Sequence, residues 1–228
     1  MIHYEEMQRL IELHYESRKY ISLSKKNENH SNVSDFASSL LTNYTGLTYI
    51  NTYLRKSKST RKSEYNDGKE LLEYLLNKAL DELNGHNNQI VYRMDSPNIS
   101  FDILKLWYKK RIGEVICFPN FLSTSKKRWV ERDKVFKIRT NNSSSGRDLI
   151  AVVAEGLAEY ENEVLFKSRT KFKIIDVKTD FIELQEVSRQ TDTFIMIYDN
   201  TYYADSDVIK ELDKTEVVRE KSFLEMYG

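Results

Sequence analysis

From residue 88 onward the chain carries eight short apolar runs, and their brevity limits the possible folds more than any other feature. The runs are Ile90-Val91-Tyr92, Val115-Ile116-Cys117-Phe118, Val135-Phe136-Lys137-Ile138, Leu149-Ile150-Ala151-Val152-Val153, Val164-Leu165-Phe166, Phe172-Lys173-Ile174-Ile175, Phe181-Ile182-Glu183-Leu184 and Phe194-Ile195-Met196-Ile197. Each is β-branched or aromatic and ends before a buried helix could form, so each reads as a strand. Asn141-Asn142-Ser143-Ser144-Ser145-Gly146 reads as a turn between two of them. The first third has a different texture. Tyr4, Met7, Leu10, Ile11 and His14 share a helical face, Ser34 caps a short helix beginning at Asp35, and Leu47, Ile50 and Leu54 continue the helical period. Leu71, Leu72, Leu75, Leu76, Ala79, Leu80 and Leu83 form a broader stripe that Gly85 is expected to stop. Helices first and closely spaced strands afterwards predict an α+β fold with a mixed, mostly antiparallel sheet core. Residues 1–228 are expected to form a single domain, with a helical part over 1–87 and a strand-rich core over 88–199. Residues 200–228 read as a C-terminal extension, expected to be helical around Val208, Ile209 and Leu212.

Lys plus Arg and Asp plus Glu both number 35 in the 228 residues, so net charge points to neither a nucleic acid nor a membrane partner. The single cysteine, Cys117, lies in an apolar run and reads as a buried small hydrophobe. His3, His14, His30 and His86 lack ligand-like spacing, so no metal site is expected. No Gly-rich loop follows a strand, so a Rossmann or P-loop nucleotide site is not supported. The N-terminus lacks the pattern of a signal peptide, and no run approaches transmembrane length. The stretch Arg55-Lys56-Ser57-Lys58-Ser59-Thr60-Arg61-Lys62-Ser63 is basic without aromatics and reads as a solvated loop.

Three polar segments stand at the ends of apolar runs. Ile90-Val91-Tyr92 leads into Arg93, Phe118-Pro119-Asn120-Phe121-Leu122 leads into Ser123-Thr124-Ser125, and Glu161-Asn162-Glu163 precedes Val164-Leu165-Phe166. On a regular strand Glu161, Glu163 and Leu165 would share one face, with neighbours roughly 6.5–7 Å apart. Each segment taken alone is unremarkable: surface carboxylate pairs, hydroxyls closing a strand and exposed arginines are all common.

Their order is specific. An arginine at the end of a strand, then Ser-Thr-Ser, then Glu-x-Glu resembles the R-S-E class of mono-ADP-ribosyltransferases, which includes arginine-specific vertebrate enzymes and bacterial binary toxins. Upstream, Tyr44-Thr45-Gly46, Tyr49-Ile50-Asn51 and Leu54-Arg55 are similar to the helical motif of those toxins, and Lys171-Phe172-Lys173-Ile174 resembles the family's next strand. The resemblance spans roughly residues 35 to 185. Two positions depart from it: Met94 follows Arg93 where glycine is frequent, and Ala158 stands where an aromatic residue is usual, with Tyr160 beside Glu161 instead.

The resemblance implies two packed sheets flanked by helices, with NAD as substrate in the cleft between them and no metal. It implies transfer of ADP-ribose to arginine of a protein, with actin as one candidate, by a monomer that is cytoplasmic or a delivered effector. The alternatives are an NAD glycohydrolase and a silent NAD-binding module. It assigns Arg93, Ser123, Glu161 and Glu163 to catalysis, and Arg93, Ser123, Thr124, Ser125 and Glu163 to NAD. Nicotinamide leaves as a neutral molecule, so the chemistry needs no general acid. It needs a fixed carboxylate facing the cation that develops on the ribose, which the resemblance assigns to Glu163. Glu161 is left to align the guanidinium and draw off its proton.

Overall fold

The computed structural model describes residues 33–44, 48–55, 67–95, 101–129, 134–152, 162–188, 190–197 and 217–219. The expected helix over Tyr4–His14 and the basic stretch beyond Arg55 lie outside these residues. Three helices come first: α1 (Asp35–Tyr44), α2 (Thr48–Arg55) and α3 (Asp67–Asp81). The capping expectation holds for α1. Ser34 Oγ accepts from the Ala37 amide at 3.1 Å, satisfying one of the donors a helix start leaves unpaired. That hydroxyl and the Ser34 amide both donate to the Glu82 carboxylate beyond the end of α3, at 2.9 and 2.7 Å. Phe36, Leu40, Leu41 and Tyr44 of α1, Ile50 and Leu54 of α2, and Leu72, Leu75, Leu76 and Leu80 of α3 fill one core with Phe121, Leu149, Val152 and Leu165.

The strands follow as β1 (Ile90–Asp95), β2 (Val115–Phe118), β3 (Leu122–Ser125), β4 (Lys134–Arg139), β5 (Gly146–Asp148), β6 (Glu163–Phe166), β7 (Thr170–Val177), β8 (Ile182–Glu186), β9 (Thr193–Met196) and β10 (Val217–Arg219). They join in the order β10-β9-β2-β7-β8-β4-β1-β3-β6-β5. Only β2–β9 and β4–β8 run parallel among these neighbours, so the mixed, mostly antiparallel α+β expectation is met. Instead of two separate sheets, the pairings form one ladder with a near-break. The rung Tyr92↔Ser125 alone pairs β1 with β3, whereas β1 shares six rungs with β4 and β3 shares four with β6.

The helix α4 (Phe101–Lys109) lies between β1 and β2 and buries Leu104, Trp107 and Tyr108. These join Val91, Phe118, Phe136, Val164, Phe166 and Phe172 in a second core on the opposite side of β3 and β6. The strand expected over Leu149–Val153 is a correction. Leu149–Ala151 forms a single 3-10 turn, because Asp148 accepts from the Ile150 amide at 3.2 Å and bends the chain there. The extension contributes the short strand β10 against β9, while Val208, Ile209 and Leu212 lie outside the described residues.

Candidate functional site

The site grows out of the β3–β6 pair. Ser123 stands opposite Leu165, Thr124 opposite Val164 and Ser125 opposite Glu163. Directly opposed residues of an antiparallel pair share a face. Ser123, Ser125, Glu163 and Leu165 therefore look toward the helical core, to which Leu165 belongs. Leu122, Thr124, Val164 and Phe166 look toward the other core. Both strands are covered on their two faces, so Glu163 starts its strand only 7% exposed. The Thr124 hydroxyl donates to the Val164 carbonyl at 2.6 Å, and the Ser125 hydroxyl accepts from the Lys127 amide at 3.1 Å. These short-range bonds fix the polar end of β3.

Arg93 closes the near-break in the ladder. Its Nη1 donates to the Ser123 carbonyl at 2.9 Å, joining the two strands one step from their shared rung. A cavity of about 170 Å³ opens there, lined by Tyr92, Arg93 and Met94 of β1, Ser123 to Ser125 of β3, and Trp129. Typical small-molecule pockets measure about 300–1,000 Å³, so this one fits part of a dinucleotide rather than the whole. Trp129 had no signal in the sequence, standing alone after Lys126-Lys127-Arg128; its amide donates to the Met94 sulfur at 3.0 Å.

The helices tie in through Tyr44 and Asn51. Asn51 Nδ2 donates to the Tyr44 hydroxyl at 2.7 Å, and Asn51 Oδ1 accepts from the Phe121 amide at 3.1 Å. Tyr44 also meets the Phe121 ring edge-on at 5.7 Å. The chain entering β3 is thereby fixed to α1 and α2. Burial pushes the Tyr44 phenol well above the usual tyrosine range; the Asn51 bond opposes the shift, Glu163 adds to it, and Arg93 and Arg55 oppose it. Glu163 and Arg93 thus both lie within electrostatic reach of one phenol, although the sequence separates them by seventy residues.

Glu161 lies outside the described residues. The strand premise that placed it beside Glu163 is corrected at Asn162, whose φ of 48° is left-handed and interrupts the alternation before β6 begins. Glu163 and Leu165 do share a face.

The family model for the ADP-ribosyltransferase exoenzyme domain matches residues 15–197. The chain belongs to this family. Solved ADP-ribosyltransferases agree in fold. The Vis toxin of Vibrio splendidus is 17% identical, with 87% of this chain and 94% of that chain covered and a TM-score of 0.55. The C3 exoenzyme of Clostridium limosum is 18% identical over 73% and 98%, with a TM-score of 0.56. The Plx2a toxin of Paenibacillus larvae is 18% identical over 82% and 100%, with a TM-score of 0.55. No curated protein matches this chain by sequence. As an ADP-ribosyltransferase exoenzyme, the protein uses NAD as its substrate. Among the described residues, no group of three or more His, Cys, Asp or Glu is placed to hold a metal ion, and no helix is long and apolar enough to cross a membrane.

Proposed function

We propose that this ADP-ribosyltransferase transfers ADP-ribose from NAD to arginine side chains of a protein, with Glu163 as the residue on which cleavage depends. Arg93 and Ser123 line one cavity, and Glu163, outside that lining, starts the strand paired with the one that carries Ser123; this placement carries the reading. Glu163 is buried beside Ser125 on the face that also carries Ser123, and Arg93 is tied to the Ser123 carbonyl. Arg93 offers a guanidinium fork to the NAD phosphates. Ser123 braces the nicotinamide end, with Thr124 and Ser125 holding the strand beneath it. The bond between the ribose C1′ and the pyridinium nitrogen breaks, its electron pair leaving with neutral nicotinamide. Positive charge is then left on the ribose, where the Glu163 carboxylate opposes it. At 4 Å and an effective dielectric of 20, such a pair contributes roughly 4 kcal/mol, or about three decades in rate. A guanidine nitrogen of the acceptor bonds to C1′, and Glu161 takes the proton it gives up.

Arginine as acceptor draws support from the Glu-x-Glu order and from Vis, a solved relative in complex with agmatine, a small guanidine. Actin is the first protein to test, since the Tyr44 to Arg55 motif is similar to that of actin-modifying toxins. Solved relatives that are toxins support the reading of a delivered effector; a single-domain monomer is part of the same proposal.

The deciding experiment measures nicotinamide release and ADP-ribosyl transfer to agmatine in parallel. Glu163→Gln keeps the shape and removes the charge, so both activities should fall by about three decades. Glu161→Gln should lose transfer and keep most of its NAD hydrolysis. Equal collapse of both activities in Glu161→Gln would refute the division of labour. If neither substitution matters, the assignment of this site fails. Nicotinamide release without transfer in the parent would make the protein a glycohydrolase.

A further inference from the structure

The chain leaving β3 is held at each of its next four residues, each time by a different part of the fold. The Lys126 amide donates to the Asn162 carbonyl at 3.0 Å, just before β6. The Lys127 amide donates back to the Ser125 hydroxyl at 3.1 Å. Arg128 reaches the turn between β7 and β8: its Nη1 donates to the Asp180 carboxylate at 2.8 Å and its Nη2 to the Asp180 carbonyl at 3.4 Å. The Trp129 amide donates to the Met94 sulfur of β1 at 3.0 Å. Trp129 and Met94 both line the cavity, whereas Arg128 lies outside its lining. A thioether sulfur is a weak acceptor, so the two-pronged guanidinium one residue earlier is the firmer of these two holds on Trp129. The turn that receives it is itself anchored. The Lys178 amide closes it on the Phe181 carbonyl at 2.8 Å, and Lys105 of α4 donates to the Thr179 carbonyl at 3.0 Å. The Arg128 bond also holds the Asp180 carboxyl below the usual carboxylate range, so the pair is charged at neutral pH.

We propose that Arg128 is a positioning residue for NAD binding: clamped on Asp180, it sets where the Trp129 wall of the cavity stands relative to Arg93 and Ser123. The proposal rests on NAD occupying that cavity. The side chains of Arg128 and Asp180 are 40% and 55% exposed, so the pair adds little to folding and either partner can be replaced in a folded protein. Its effect falls on the wall. Bound substrate and transition state lie against the same wall, so loosening it weakens both alike, which raises KM and leaves kcat.

The test uses Arg128→Gln and Asp180→Ala, each assayed for nicotinamide release across a range of NAD concentrations. Each should raise the KM for NAD about two- to fivefold, the size of one exposed ion pair, with kcat within about twofold of the parent. Arg128→Lys keeps the charge without the fork and should recover part of the loss. The double variant should be no worse than either single one. Lys178→Met breaks the turn's own pair with Asp176 and should leave KM unchanged. The wall is also read by fluorescence in a Trp107→Phe background, where Trp129 is the remaining one of two tryptophans. Trp107 Nε1 has no hydrogen-bond partner among the described residues, so phenylalanine gives up none there. Acrylamide should quench Trp129 more readily in both clamp variants than in that background alone. Unchanged KM and quenching in both would overturn the proposal, as would an equal rise of KM in Lys178→Met, or a fall in kcat at constant KM. A parent whose NAD binding is indifferent to Arg93→Ala would place NAD elsewhere and remove the reading of the site together with the proposal.

Discussion

At Tyr44 a phenol lies buried within reach of a carboxylate and a guanidinium, and its acidity records all three. Burial holds it neutral far above the usual tyrosine pKa of about 10. In the unfolded chain the same phenol ionises near that value, so its contribution to stability is complete below about pH 10 and is lost as pH rises further. Tyr44→Phe should remove this alkaline limb. Urea midpoints measured at about pH 9 and about pH 11 should therefore fall less between the two in the variant than in the parent. At neutral pH the substitution leaves Asn51 Nδ2 without its acceptor, at a cost of about 1 kcal/mol. An alkaline limb of equal depth in both proteins would place that dependence on other groups. At this scale the sequence is informative about chemistry and silent about support. Arg93, Ser123 and Glu163 are legible through their order. Trp129 is not, because a lone aromatic after three cations has no periodicity to betray it. Tyr44 and Asn51 are legible as a motif, but their bond to each other and to the Phe121 amide depends on how α1 and α2 meet β3.

Glu186 shows what an element end owes to one side chain. Its carboxylate accepts from the Ser145 amide at 2.7 Å, the Ser145 hydroxyl at 2.8 Å and the Asn141 amide at 3.1 Å, while only 3% exposed. The turn between β4 and β5 is thereby folded onto the end of β8. Glu186→Ala should strand the buried Ser145 amide and the part-buried Asn141 amide, costing about 2–4 kcal/mol and lowering the melting temperature by roughly 5–15 °C. Calorimetry showing a shift below about 2 °C would mean that the turn holds without it. The turn itself reads plainly from Asn141 to Gly146; the carboxylate that secures it is forty residues further on, beyond the reach of local reading. Seven of the eight apolar runs are strands. The eighth bends at Leu149–Ala151 because Asp148 caps it, and a propensity count gives little weight to a single preceding carboxylate. The helix α4 escapes for the converse reason. Leu104, Trp107 and Tyr108 recur at helical spacing, but Lys105, Lys109 and Lys110 break the run into short pieces.

Across the whole molecule, β6 is paired along both flanks, with β3 and β5, and β8 likewise with β7 and β4. Between β1 and β3 the ladder has one rung, and the Arg93 side chain spans the gap beside it. The seam therefore sets a clock that deuterium can read. In heavy water, amides of residues 92–94 and 123–125 should take up label well before those of 163–166 and 182–186, since opening the seam breaks fewer bonds than opening the sheet. Saturating NAD, which the proposed site sets against Arg93, Ser123 and Glu163, should slow the first pair of peptides most and leave 182–186 unchanged. Uniform slowing would mean that the substrate tightens the sheet as one body. A difference confined to the seam would make the rate of isotope uptake at two short strands a direct measure of how long the nucleotide stays.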